Sequence, residues 1–258
     1  VRRTLMLLGS AASLALSMAM LPATANAVDD PGTLILGGHD ATERYDWMAS
    51  LQRGGNHSCG ASLIDKKWVL TAAHCVQNTA PADLGLRIGS PNHTTGGTEV
   101  GVSKIVVHPD YATKNPNGDL ALLKLDRAVS QKPVKIANDS GATNTPSRII
   151  GWGLTCPTRG CGEPPAQLQE LDTRVVADGQ CSLSQIDGPT EICTGSDKPL
   201  ANACFGDSGG PQLEGEPGDW KLTGITSRLG SLVPICGMAP SVYTDATAYK
   251  AWIKSTIS

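Results

Sequence analysis

The chain has 258 residues and a net charge of −3, with charged side chains making up only 17% of it and no basic cluster. That balance excludes a nucleic-acid partner held by a positive surface. It also argues against long solvated helices; 29 glycines and 17 prolines indicate a turn-rich fold, with length enough for one large β domain or two small ones.

Arg2 and Arg3 precede an uncharged apolar run from Leu5 to Met20, and the small-residue signature Ala25-Asn26-Ala27 follows. This order reads as a signal peptide over residues 1–27, directing secretion to the extracellular space. A membrane anchor is disfavoured, because the run stops before Pro22, short of the roughly 20 residues that span a bilayer. The arginine pair hints at twin-arginine export, but Thr4-Leu5 matches that signal poorly, which favours export unfolded with disulfides made outside. The mature fold is expected to begin at Ile35-Leu36-Gly37-Gly38. Short apolar runs of strand length come next: 62–64, 67–70, 102–107, 120–125, 147–150, 171–176 and 222–226. Gly, Pro, Asn and Asp separate them, an all-β pattern. The polar stretch from Ser130 to Pro146 reads as a linker, taken as residues 131–146, between domains at 35–130 and 147–258. One helix is expected near the end, where Thr244 or Asp245 could cap a run placing Ala248, Trp252, Ile253 and Ile257 at helical spacing.

The eight cysteines fit an oxidised, secreted protein, although spacing alone leaves their connectivity open. His74 beside Cys75 leaves a zinc site as the alternative. The spacings lack the paired ligand sets that zinc requires, so neither a metal nor a cofactor is expected.

Three motifs carry chemistry. They are Thr71-Ala72-Ala73-His74-Cys75, Asn117-Gly118-Asp119-Leu120-Ala121-Leu122-Leu123 and Gly206-Asp207-Ser208-Gly209-Gly210-Pro211. Serine is unreactive at its own pKa, so a histidine must accept its proton and later return it to the leaving group, while a buried carboxylate fixes the imidazole tautomer. Ser208, His74 and Asp119 are the candidates for these roles. The glycines around Ser208 permit a sharp turn that aims the Gly206 and Ser208 N–H groups at one point, an oxyanion hole. Singly, each motif also reads as ordinary structure: a glycine turn, a helix start, a turn entering a strand.

Together, and in the order His, Asp, Ser, they resemble the trypsin/chymotrypsin-like serine endopeptidases, in the form of a secreted, bacterial-type member. The resemblance runs from Ile35 to the C-terminus. It implies an all-β fold of two six-stranded antiparallel β-barrels with a C-terminal α-helix, and a monomer acting on protein or peptide substrates, with protein protease inhibitors as further partners. It implies Cys59–Cys75, Cys181–Cys193 and Cys204–Cys236 pairs, leaving Cys156 and Cys161 to clip the loop between them. Residues 28–34 become an activation propeptide, after whose removal the Ile35 amine pairs with Asp207. His57 resembles the histidine that holds this aspartate in some precursors, or else is an ordinary loop histidine. Ser227 corresponds to the serine that bonds the triad aspartate and borders the substrate, and Gly151-Trp152-Gly153 to a marker of the second barrel. Asn202 falls at the base of the specificity pocket beside Ala203, and Ser241 narrows it. An uncharged base implies cleavage after an uncharged residue of medium to large size, with Arg228 as an alternative cation for acidic residues. Arg228-Leu229-Gly230 departs from the family pattern after the serine, and the loop from Gly89 to Glu99 lacks an acidic cluster for calcium. A binding module without catalysis and an esterase are the competing readings.

Overall fold

The segment Leu84-Gly85-Leu86-Arg87-Ile88 buries Leu84, Leu86 and Ile88 and leaves Gly85 and Arg87 partly exposed, the period of two that a half-buried strand requires. In the computed structural model, which describes residues 1, 35–113 and 116–258, this segment is the fifth strand. The expected signal peptide, residue 1 apart, and residues 28–34 lie outside the described residues. The first barrel closes in the order β2-β3-β4-β7-β6-β5. Its strands are β2 (Met48–Arg53), β3 (Asn56–Asp65), β4 (Trp68–Thr71), β5 (Leu84–Ile88), β6 (Thr98–Val107) and β7 (Ala121–Leu125). The second barrel uses β9 (Pro146–Gly151), β10 (Gln169–Val175), β11 (Glu191–Gly195), β12 (Pro211–Glu214), β13 (Lys221–Leu229) and β14 (Ser241–Asp245). These run β9-β10-β11-β14-β13-β12, and the antiparallel β12–β9 pair closes the ring. Two short strands add to it: β1 (His39–Asp40) on β10 and β8 (Lys135–Ile136) parallel to β13. Among the described residues, the α-helices are α1 (Pro109–Thr113) and α2 (Lys250–Ile257). This is the double-barrel, all-β fold with a terminal helix that the sequence implies.

Every apolar run picked out in the sequence lies in or overlaps a strand, whereas β2, β5, β11, β12 and β14 did not stand out there. The helix begins later than expected. Thr244 and Asp245 belong to β14, and the Asp245 carboxylate instead accepts from Thr247 N (2.7 Å) in the turn leading to α2. Capping a turn satisfies free N–H groups just as capping a helix does. The polar stretch 131–146 contains β8, with Val134 and Ala137 buried on either side of it.

One core runs from Leu51, Leu63, Leu86 and Leu122 of the first barrel to Leu213, Leu222 and Ile225 of the second, and takes in Ile253 of α2. Full burial of such side chains stabilises by about 1.5–3 kcal/mol each. A second cluster gathers Ile35, Ile149, Leu171, Ile192, Ala203 and Tyr243. Glu170, almost fully enclosed, accepts from Tyr45 Oη (2.7 Å), Thr42 Oγ1 (2.7 Å) and Arg148 Nη1 (3.1 Å). Desolvating a carboxylate without such donors would be strongly unfavourable. The eight cysteines form four disulfides: Cys59–Cys75, Cys156–Cys161, Cys181–Cys193 and Cys204–Cys236.

Candidate active site

The barrels meet at the turn that carries Ser208. From the first barrel, Gly60 N of β3 donates to Ser208 O (2.8 Å); from the second, Gly209 N donates to Thr226 O of β13 (2.8 Å). The approach is close enough that a Cβ on Gly60 would lie 2.6 Å from Gly210 Cα. Gly209 has φ +76°, and a Cβ there would strike Thr71 Oγ1 at 2.2 Å. Only glycine satisfies both conditions. The same turn leaves the N–H groups of Gly206 and Ser208 without an acceptor among the described residues.

His74 sits in a single 3₁₀ turn (Ala73–Cys75) directly after β4, stapled to β3 by Cys59–Cys75. Asp119 lies just before β7, and its carboxylate accepts three donors. These are His74 N on Oδ1 (2.9 Å), His74 Nδ1 on Oδ2 (2.7 Å) and Ser227 Oγ on Oδ2 (2.7 Å). An ionised carboxylate only accepts, so Nδ1 carries the proton and Nε2 keeps the lone pair, 3.7 Å from Cys75 Sγ. The Asp119 side chain is 4% exposed and that of His74 30%. His74 and Ser208 line one cavity of about 240 Å³. Cys59, His74 and Cys75 also come within 4.8 Å of one another, but the two sulfurs are bonded together and offer no thiolate to zinc.

Ala203, Ser227 and Ser241 border the same cavity. Asn202 does not. Its Nδ2 donates to Ala239 O (3.0 Å) and its Oδ1 accepts from Ala203 N (2.8 Å), which holds it beside a separate cavity with Arg174 and Gly237. Ser241 lines the cavity instead, and its buried hydroxyl has no partner among the described residues. Leu229, Phe205 and Arg159 line the cavity too. Leu229 lies two residues past Ser227, a spacing that could have shown it; Arg159 and Phe205 carried no signal of their own. Arg228 is not available to a substrate carboxylate. It grips Glu191, itself fully buried, through Nη1–Oε1 (2.6 Å) and Nη2–Oε2 (2.8 Å), and donates also to Ser184 O, Gln185 O and Ser227 Oγ.

Asp207 is buried behind the turn, with Gly153 N on Oδ1 (2.8 Å) and Cys204 N on Oδ2 (2.9 Å). Those two bonds do not offset desolvation, and burial pushes its carboxyl up to about 6. Ile35 is fully buried in the cluster that includes Ala203, and it holds φ +35°, a region β-branched residues avoid. His57 is neither a surface histidine nor the holder of Asp207. It joins Ser50 Oγ (2.8 Å) to Gly206 O (3.0 Å), and burial lowers its pKa to about 4, against the pull of the Gly206 bond.

Two barrels with a serine, a histidine and a buried carboxylate brought together at their seam define a serine hydrolase of the double-barrel class. The sequence profile of the Trypsin family matches residues 35–253, and the chain belongs to that family. It is 33% identical over 240 residues to trypsin alpha-4 of Lucilia cuprina, covering 87% of this chain and 88% of that one. Trypsin delta of Drosophila melanogaster is 30% identical over 236 residues, again covering 87% and 88%. Among solved structures, neuropsin, a serine protease expressed in the limbic system of mouse brain, superposes with a TM-score of 0.71 at 29% identity, covering 83% of this chain and 95% of its own. The protein is thus a serine endopeptidase, while the insect relatives lend no support to the expectation of a bacterial-type member.

The raised pKa of Asp207 has a consequence for stability. Folding raises its pKa from 3.8 to about 6, so this group's contribution is full below pH 3.8 and is lost as pH rises through 6. His57, lowered from 6.5 to about 4, changes stability in the opposite sense over the same window. Asp207→Asn isolates the first effect. In the uncleaved chain, the stability of wild type relative to this variant should fall by roughly 2 kcal/mol between pH 4 and 7, read from urea melts. A pH-independent difference would contradict the assignment.

Proposed function

We propose that this protein is a secreted endopeptidase, made as a precursor, that cleaves proteins or peptides after an uncharged residue through an acyl-enzyme formed on Ser208. The observation that carries this reading is the Asp119 carboxylate bonded at once to His74 Nδ1 and Ser227 Oγ, with His74 and Ser208 on one cleft. Ser208 Oγ attacks the scissile carbonyl while His74 Nε2 takes its proton. The oxyanion that forms is held by the N–H groups of Gly206 and Ser208, which the fold leaves open. Each such donor typically lowers the barrier by about 2.7–4 kcal/mol. Collapse breaks the C–N bond, and the proton on His74 passes to the departing amine. Water then repeats the sequence on the ester, its proton going to His74 and from there back to Ser208. His57, by bonding Gly206 O, steadies the peptide that follows the first donor.

Precursor activation rests on Asp207 and Ile35. A buried carboxylate with two N–H partners and no cation among the described residues is incompletely compensated. Cleavage before Ile35 releases an ammonium that can neutralise it and relieves the left-handed strain at Ile35. Specificity follows from the cavity wall of Ala203, Leu229 and Ser241, which offers no countercharge. Burying an unpaired guanidinium or ammonium there costs several kcal/mol.

Three outcomes test these statements. Ser208→Ala and His74→Ala should each abolish turnover to within about 10³–10⁴ of the rate in water, without multiplying in the double variant; Ser208→Ala retaining a few per cent of turnover would overturn the nucleophile. Edman sequencing of active enzyme should begin at Ile35, and an active form beginning at Val28 would refute the activation scheme. In peptides differing only at the cleaved residue, Leu, Met or Phe should exceed Arg or Lys in kcat/KM, and the reverse order would exclude a neutral pocket.

A further inference from the structure

Two arginines line the cleft, and they stand in opposite conditions. Arg228 has a hydrogen bond for each of its five N–H directions and a buried Glu191 as its counter-ion, so it presents no net charge to a ligand. Arg159 is exposed, and no carboxylate of the described residues pairs with it. Its guanidinium lies over the Phe205 ring, 4.1 Å from the centroid. Stacking on an aromatic face leaves the in-plane N–H groups pointing outward, the geometry that receives a carboxylate bidentately.

The loop that carries Arg159 is braced. The Cys156–Cys161 disulfide closes it, and Cys236 N donates to Pro157 O (2.9 Å), tying it to the segment beside Cys204. Phe205 immediately precedes Gly206, so the cation is held next to the point where the scissile carbonyl must lie. Asp119 is enclosed and already bonded, and Ala203, Leu229 and Ser241 are neutral. Arg159 is therefore the fixed charge that this cleft offers to a substrate.

We propose that Arg159 is a specificity-determining residue that favours peptides bearing an Asp or Glu beside the scissile bond. The proposal rests on the endopeptidase reading and adds to it the class of substrate. Exposed ion pairs contribute modestly, so the preference should be about two- to five-fold in kcat/KM over an Ala-containing peptide, weakening as ionic strength is raised.

The test uses active enzyme and a peptide set with Leu fixed at the cleaved position. A single Glu, Ala or Lys is walked from three residues before the bond to three after it. Wild type should show a Glu-to-Ala ratio above about two, confined to one or two adjacent positions and reduced in high salt. Arg159→Lys should keep that ratio, Arg159→Gln bring it to unity, and Arg159→Glu invert it in favour of Lys. Because the ratio is taken within each variant, a general loss of activity does not imitate the effect. A flat scan in wild type, or a ratio that Arg159→Gln and Arg159→Glu leave unchanged, would overturn the proposal while leaving the endopeptidase reading intact. Hydrolysis of none of the peptides would overturn both.

Discussion

The site depends on the buried carboxylate of Asp119. One oxygen accepts the backbone N–H of His74, and the other accepts both His74 Nδ1 and Ser227 Oγ, so the group links loops of the first barrel to a strand of the second. Its backbone carbonyl is held as well, by Thr244 Oγ1 of β14 (3.0 Å). A carboxylate shielded to this degree is tolerated only because every donor is in place, two from the His74 turn and one from β13. The geometry of the candidate site and the docking of the barrels are therefore one constraint. A shift between the barrels would break hydrogen bonds to a desolvated charge, which resists the shift and keeps the His74 ring in one orientation.

The turn at Ser208 follows the same logic in backbone form. Strand β3 bonds to it from one side and β13 from the other, and Gly60 and Gly210 approach closer than any side chain would permit. Behind it, Asp207 lies against Gly151 and Gly153, where a Cβ would come within 2.1 and 2.4 Å of its carboxylate atoms. Glycines here serve a purpose beyond flexibility: they remove atoms from the path of a charged group that must sit deep in the fold.

Charge in and around the cleft is handled in two ways. Glu170 with Arg148, and Glu191 with Arg228, are pairs in which an enclosed carboxylate meets an arginine and further donors, so that desolvation is compensated inside the protein. Arg159 stays at the solvent edge, stacked on an aromatic ring instead of being neutralised. The two arginines lining this cavity thus differ in net charge because one has a buried acid within reach and the other does not.

Much of this was legible in the residues alone. His74, Asp119 and Ser208 each sit in a short motif whose pattern is local: a glycine turn around a serine, a histidine beside a cysteine, an aspartate entering an apolar strand. Strands with long apolar runs were visible for the same reason. Strands such as β12 (Pro211–Glu214) and β14 (Ser241–Asp245) were not, because their burial comes from neighbours distant in sequence and not from their own alternation. The fate of Asn202 was equally hidden: its amide turns to Ala239 O, and that carbonyl is brought near only by the path the chain takes to Cys236. The same holds for His57, whose partner Gly206 is 149 residues away, and for Arg228, whose Glu191 is 37 away. Residue type and spacing determined which groups could do chemistry here. Only the tertiary structure decided which were buried, paired or left open, because desolvation and hydrogen bonding depend on contacts between segments that the chain does not place side by side.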